Sequence, residues 1–260
     1  MHQHWYEHLQ IDASYIPVQV PREKLAEAVA SLKLLGASGW NVTIPHKEAI
    51  LPFLDEVDEL AQKMGAVNTV VRLADGRLKG YNTDGAGFVK SLEEAIGTAE
   101  RQQPVLLIGA GGAARGISFA LQAKGYSNIT IANRTVAKAQ TIIDELGCGQ
   151  AISLQDAENT LSNYKIFIQT TPAGLASGEF DLPFSLDQFP MQAIAADIVY
   201  NPLMTPFLRA AESKGAVIVN GLGMFVHQGA IAFEHWLGQY PPAPLMLAYL
   251  TNQLERRANV

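Results

Sequence analysis

The chain has 260 residues, of which 48% are hydrophobic and 17% charged, so it can bury a substantial core and is not predominantly disordered. Lys and Arg number 19 against 25 Asp and Glu, a net charge of -6, which leaves no basic field for a phosphate backbone or an anionic lipid surface; no nucleic-acid partner and no membrane association are expected. The single cysteine, Cys148, excludes an intramolecular disulfide framework and a multi-cysteine zinc site, and points to a reducing, cytoplasmic setting.

In chain order, strand-like and helix-like segments alternate, which predicts an α/β protein. The stretch 15–20 reads as a strand, and Pro21 opens a helix over 22–35 with Leu25, Val29 and Leu32 at helical spacing. A second strand over 40–44 is stopped by Pro45, and helical segments follow to about Lys63. Segments 66–73 and 77–81 predict a hairpin around the turn dipeptide Asp75-Gly76. A helix is expected over 83–96, with Phe88 and Leu92 on one face. The polar run 97–104 is the expected boundary between two domains, 1–100 and 101–242.

Beyond it the alternation becomes regular. Residues 105–108 form a fully apolar run, as in a parallel sheet covered on both faces. Helix 113–124, strand 129–132 and helix 136–146 follow, then strands at 166–169, 193–198 and 216–219 and helices at 223–236 and 243–256. The last helix carries Leu247, Leu250 and Leu254 on one stripe and is expected to return to the first domain.

Gly109-Ala110-Gly111-Gly112-Ala113-Ala114 lies between the apolar strand and the next helix, the context that a dinucleotide fingerprint requires. Side chains at the glycines would block approach to a pyrophosphate, and the helix start offers unpaired N–H groups to it. After the second strand, an NAD site places an acidic residue to bind a ribose 2′-hydroxyl. Here the chain reads Asn133-Arg134-Thr135, with Lys138 one turn on. Arg134 can grip a 2′-phosphate that an acid would repel, so the expected cofactor is NADP.

Polar groups gather at other element ends: Asn41 to Lys47, Gly65 to Thr69, and Gly80 to Gly85. In open α/β sheets ligands collect beyond the carboxyl ends of strands, so these motifs are candidates for one site. His2, His4 and His8 have no carboxylate pair or cysteine nearby to complete a metal site and read as solvated helix histidines. Cys148 reads as a small loop residue between Gly147 and Gly149.

The ordered set Asn-Val-Thr-Ile-Pro-His-Lys (41–47), Gly-Ala-Val-Asn-Thr (65–69), Gly-Tyr-Asn-Thr-Asp-Gly (80–85), the glycine turn with Asn-Arg-Thr, and Gly221-Leu222-Gly223-Met224 with Gln228 resembles the shikimate dehydrogenase family over essentially the whole chain. The resemblance implies an α/β substrate domain followed by a doubly wound, Rossmann-type NADP domain. It implies reversible NADP-dependent reduction of 3-dehydroshikimate to shikimate, a small-molecule substrate, with homodimerisation left open. By motif position Lys47 would be the acid/base group and Asp84 its partner. Thr43, Asn68, Asp84 and Gln228 would hold substrate hydroxyls, and Tyr200 would lie near the carboxylate. Thr170, Ile198 and Gly221 would flank the nicotinamide, with Gly109, Ala110, Gly111, Gly112, Ala113, Asn133, Arg134, Thr135 and Lys138 around the rest of the cofactor.

Hydride delivery to a ketone leaves negative charge on oxygen, and a lysine held by an aspartate answers that need without a metal. The family opens with a further strand and a Ser-x-Ser-Pro turn, whereas this chain starts at Met1-His2; an exposed sheet edge and a weaker hold on the substrate carboxylate are the expected results. Two alternatives stand beside the main reading: an NADP-binding protein with little turnover, and a quinate/shikimate dehydrogenase using NAD.

Overall fold

A computed structural model of the chain describes residues 1–172 and 185–258. It divides into two compact units, Met1–Asp84 with Gln228–Met246, and Gly85–His227 with Leu247–Val260. The first division falls at the start of a helix rather than in the polar run 97–104, and the final helix is shared between the two units.

The first unit opens with α1 (His2–His8), α2 (Leu25–Leu34) and β1 (Gly39–Asn41), then β2 (Glu56–Val57), α3 (Glu59–Met64), β3 (Thr69–Arg72) and β4 (Leu78–Tyr81). Its sheet runs β1-β3-β4-β2, antiparallel except for the parallel β2–β4 pair. The Asp75-Gly76 turn makes the expected hairpin, with Gly76 at φ 84, where a side chain would be strained. Leu25, Val29, Val42, Ile50, Val67, Val70 and Leu78 fill the core beneath the sheet.

Two local expectations are corrected here. Residues 15–20 form no strand: Pro17 lacks an N–H, and Ile16 and Val18 are 73% and 61% exposed. The segment after Pro45 makes turns and a short 3-10 stretch at Leu51–Phe53 instead of helix, because Pro45 and Pro52 bracket too few residues to repay nucleation. α1 brings a third correction. His2 is buried, with its ring 4.5 Å from that of Tyr15 and 5.1 Å from that of Trp236. Burial and the nearby amino terminus lower its pKa to about 4, so His2 is a neutral core residue rather than a solvated one.

The second unit begins within α4 (Asp84–Ile96) and continues β5 (Val105–Ile108), α5 (Gly112–Ala123), β6 (Ile129–Ala132), α6 (Val136–Leu146), β7 (Gln150–Ile152), α7 (Leu154–Asn159), β8 (Ile166–Gln169), β9 (Ile194–Asp197), α8 (Pro206–Ser213) and β10 (Val217–Val219). α9 (Gly221–Leu237) and α10 (Ala243–Ala258) complete the chain. All strand pairs in the sheet are parallel, in the order β10-β9-β8-β5-β6-β7. The connection reverses between β5 and β8, the switch point at which doubly wound sheets bind ligands. β5, β6, β8 and β9 are buried along their whole length, which accounts for the unbroken apolar run of β5, while β6, β8 and β9 each carry one buried polar residue, Thr130, Gln169 and Asp197.

Candidate active site

β4 ends at Tyr81, and Asn82, Thr83 and Asp84 carry the chain into α4. Asn82 supports that helix start: its Oδ1 accepts from the Asp84 N–H at 3.1 Å, and its Nδ2 donates to the Ala66 carbonyl at 2.9 Å. The Asp84 carboxylate is therefore free of the capping role its position suggests. Its Oδ2 accepts from Lys47 Nζ at 2.6 Å and its Oδ1 from Asn68 Nδ2 at 2.9 Å. The Lys47 and Asp84 side chains are 29% and 26% exposed, shielded yet within reach of a small molecule.

Lys47 lies on the turn that replaces the expected helix. Its carbonyl accepts from the Val67 N–H at 2.8 Å, tying that turn to the segment bearing Asn68. His46 points elsewhere, with Nε2 2.8 Å from the Val20 carbonyl oxygen. Thr43 is exposed on the same turn, and its hydroxyl has no hydrogen bond among the described residues. Lys47, Asp84 and Asn68 are thus brought into one bonded cluster, with Thr43 four residues from Lys47. An ammonium fixed by a carboxylate can give a proton to an oxygen that gains charge, and amide and hydroxyl groups can read a polyol. Gln228 sits partly buried on α9, in the portion grouped with this unit.

The second unit carries a cavity of about 230 Å³ beyond the carboxyl ends of β5, β6 and β8. Gly109 leaves β5 at φ 112, and a Cβ there would stand 2.7 Å from Thr170 Oγ1, so only glycine fits. Thr170 is itself fixed, its hydroxyl donating to the Ile108 carbonyl at 2.8 Å. At Gly111 and Gly112 a Cβ would meet nothing within 4 Å. The space before the α5 N-terminus is clear, and side chains would occupy the place of an anion. Ala110 lines the cavity, and Ala113 lies in the first turn of α5.

Asn133 Nδ2 donates to the Thr135 carbonyl at 2.9 Å and stiffens the turn after β6. Arg134, Thr135 and Lys138 line the cavity and are exposed; among the described residues neither cation has an ion-pair partner. Two open cations and a clear helix N-terminus fit a dinucleotide carrying an extra phosphate.

β9 ends in Asp197, whose carboxylate accepts from Thr205 Oγ1 at 2.7 Å and from the Val199 N–H at 3.0 Å. Burial pushes its pKa up to about 6 against those bonds. The loop it clasps holds Ile198 and Tyr200. A Cβ on Gly221 would come 2.2 Å from the Ile198 carbonyl oxygen, which explains that glycine, and the Tyr200 ring stacks on Phe225 at 4.7 Å. Asn82, Thr83 and Asp197 are neighbours of the candidate residues that motif reading leaves without roles. Their signal is polar residues at strand ends, adjoining the candidate residues.

Three family models match the chain: shikimate dehydrogenase substrate binding domain over residues 1–70, shikimate / quinate 5-dehydrogenase over 91–176, and shikimate 5'-dehydrogenase C-terminal domain over 221–249. A shikimate dehydrogenase (NADP(+)) of Lysinibacillus sphaericus is 66% identical over 254 residues, covering 98% of this chain and 92% of that protein. One from a Geobacillus species is 46% identical over 257 residues, with the same coverage of 98% and 92%. Among solved structures, shikimate 5-dehydrogenase of Thermus thermophilus in complex with NADP(H) and shikimate superposes with a TM-score of 0.85 at 36% identity, over 99% of this chain and 92% of that one.

Proposed function

The chain belongs to the shikimate dehydrogenase family, and from that premise we propose that it catalyses the reversible NADP-dependent reduction of 3-dehydroshikimate to shikimate, a step toward the aromatic amino acids. The observation that carries the proposal is Lys47 Nζ held 2.6 Å from an Asp84 carboxylate that also accepts from Asn68. When bound, the dinucleotide supplies or accepts the hydride. Lys47 holds a proton at Nζ and passes it to the substrate oxygen as charge develops there; in the reverse direction it takes that proton back. Asp84 keeps Nζ in place, so the donor need not reorganise during reaction.

Thr43 and Asn68 hydrogen-bond substrate hydroxyls, and Gln228 and Tyr200 are assigned to the substrate through the motifs that bear them. Arg134 and Lys138 take the 2′-phosphate, aided by Thr135 and Asn133. Gly109 to Ala113 take the pyrophosphate, and Thr170, Ile198 and Gly221 take the nicotinamide side. A cytoplasmic setting without nucleic-acid partners is part of the proposal, supported by the charge of -6 and the single cysteine. The test is shikimate-dependent NADPH formation by the purified chain, with quinate and NAD as competitors. Turnover selective for shikimate and NADP is expected; NADP binding without turnover would replace this reading with that of a binding protein.

A further inference from the structure

The Asn68 amide is useful only one way round: Nδ2 must face Asp84, because the carbonyl end would repel the carboxylate. Its orientation is fixed from behind by residues with no assigned role. Asn68 Oδ1 accepts from the Thr83 N–H at 2.9 Å and from Thr69 Oγ1 at 2.9 Å. Asn41 faces Thr69 across the β1–β3 ladder, and its Nδ2 donates to the Asn68 backbone carbonyl and to Thr69 Oγ1, both at 3.2 Å. Asn41 Oδ1 in turn accepts from the Tyr15 hydroxyl at 2.8 Å. Burial raises the Tyr15 pKa and keeps that phenol a donor.

Two backbone groups pin the direction of the whole chain of bonds. The Asn68 carbonyl can only accept, so the Asn41 amide must turn its NH2 toward it. The Thr83 N–H can only donate, so the Asn68 amide must turn its oxygen toward that. Between the two amides stands one hydroxyl, Thr69, which is fully buried. It accepts from Asn41 and has its single proton left for Asn68. Tyr15, Asn41 and Thr69 thus donate in turn toward Asn68, whose Nδ2 donates to Asp84 Oδ1 at 2.9 Å and to Thr83 Oγ1 at 3.0 Å, and aligned bonds of this kind polarise one another.

We propose that Thr69, backed by Asn41 and Tyr15, is a positioning residue that sets the Asn68 amide for substrate and for Asp84. The proposal deepens the functional reading above and rests on it for its kinetic arm. Thr69→Val keeps the shape and removes the hydroxyl. It is expected to raise KM for shikimate by about tenfold, the worth of roughly one hydrogen bond, while kcat falls less than about threefold and KM for NADP is unchanged. Thr69→Ser restores the proton and returns KM to within about twofold of the parent. A purely structural role would lower the active fraction, and so kcat, with KM intact.

A second readout does not need turnover: exchange of the Asn68 side-chain amide protons, followed by NMR. It is expected to be slow in the parent and in Thr69→Ser, and at least about tenfold faster in Thr69→Val. Parental KM or parental amide exchange in folded Thr69→Val overturns the proposal. Should that variant not fold, Tyr15→Phe reads the same chain, with KM rising about twofold to threefold if the proposal holds and unchanged if it does not. A parent chain without shikimate turnover sinks the functional reading, and the exchange measurement still decides the positioning role.

Discussion

The two candidate sites use opposite designs. In the first unit, Lys47, Asp84, Asn68 and Thr83 are bonded to one another and mostly buried, so each group has one orientation before any substrate arrives. In the second, the cradle is backbone and open space, and Arg134 and Lys138 stand exposed with no ion pair among the described residues. A proton-transfer group must be aimed to within a fraction of an ångström, whereas a phosphate is held by charge and N–H groups that tolerate looser placement. The contrast predicts that mutations in the first site act on turnover and those in the second on nucleotide choice.

The largest expected effect comes from Lys47→Ala, which should cut turnover about 10²- to 10⁴-fold. Asp84→Asn should also slow the reaction, and the double variant should lose less than the product of the two, because the pair acts as a unit. Multiplying effects in a steady-state cycle would break the pairing.

Next in size, the two units should respond oppositely to acid. His2, lowered to about 4 from 6.5, contributes stability that is present above about pH 6.5 and lost as the pH falls toward 4. Asp197, raised to about 6 from 3.8, contributes stability that is present below about pH 3.8 and lost as the pH rises through 6. Each effect amounts to about 3 kcal/mol at most. Hydrogen exchange at pH 7 and at pH 5 should show α1 losing protection on acidification relative to β9 and α8. Asp197→Asn should flatten the second response alone, and parallel behaviour of both regions would remove the contrast.

Arg134→Asp comes third. Loss of a charge-assisted phosphate contact worth ~1.5–3 kcal/mol, with repulsion added, should weaken NADP strongly and NAD far less. Titration of both nucleotides checks this, and an unchanged preference would remove Arg134 from the account.

Legibility in the sequence follows the same divide. In the second unit, short and mostly apolar runs ended by Gly109, Asn133 and Thr170 are complete local signals, and β5, β6, α6 and β8 lie where their hydrophobic pattern puts them. β7, Gln150–Ile152, is a short edge strand paired only with β6 and carries no such run. α8 is announced by Thr205-Pro206: the threonine hydroxyl accepts from the Leu208 N–H at 3.3 Å, with proline in the first turn. The first unit depends on distant partners. His2 is buried by Phe233 and Trp236, which no local window contains. The segment 15–20 has strand-like residues but pairs with no strand among the described residues. Lys47 and Asp84 stand out in the sequence as motif residues, but Asn41 and Thr69 become meaningful only through the β1–β3 register.

The central claim is that proton chemistry and nucleotide choice are separable, one in each unit. Its most direct test is the dissociation constant of NADP for Lys47→Ala, measured by calorimetry beside the parent. The account predicts agreement within about twofold, since uniform loss is not expected from a group that acts only in the chemical step. NADP affinity falling in step with turnover would contradict it.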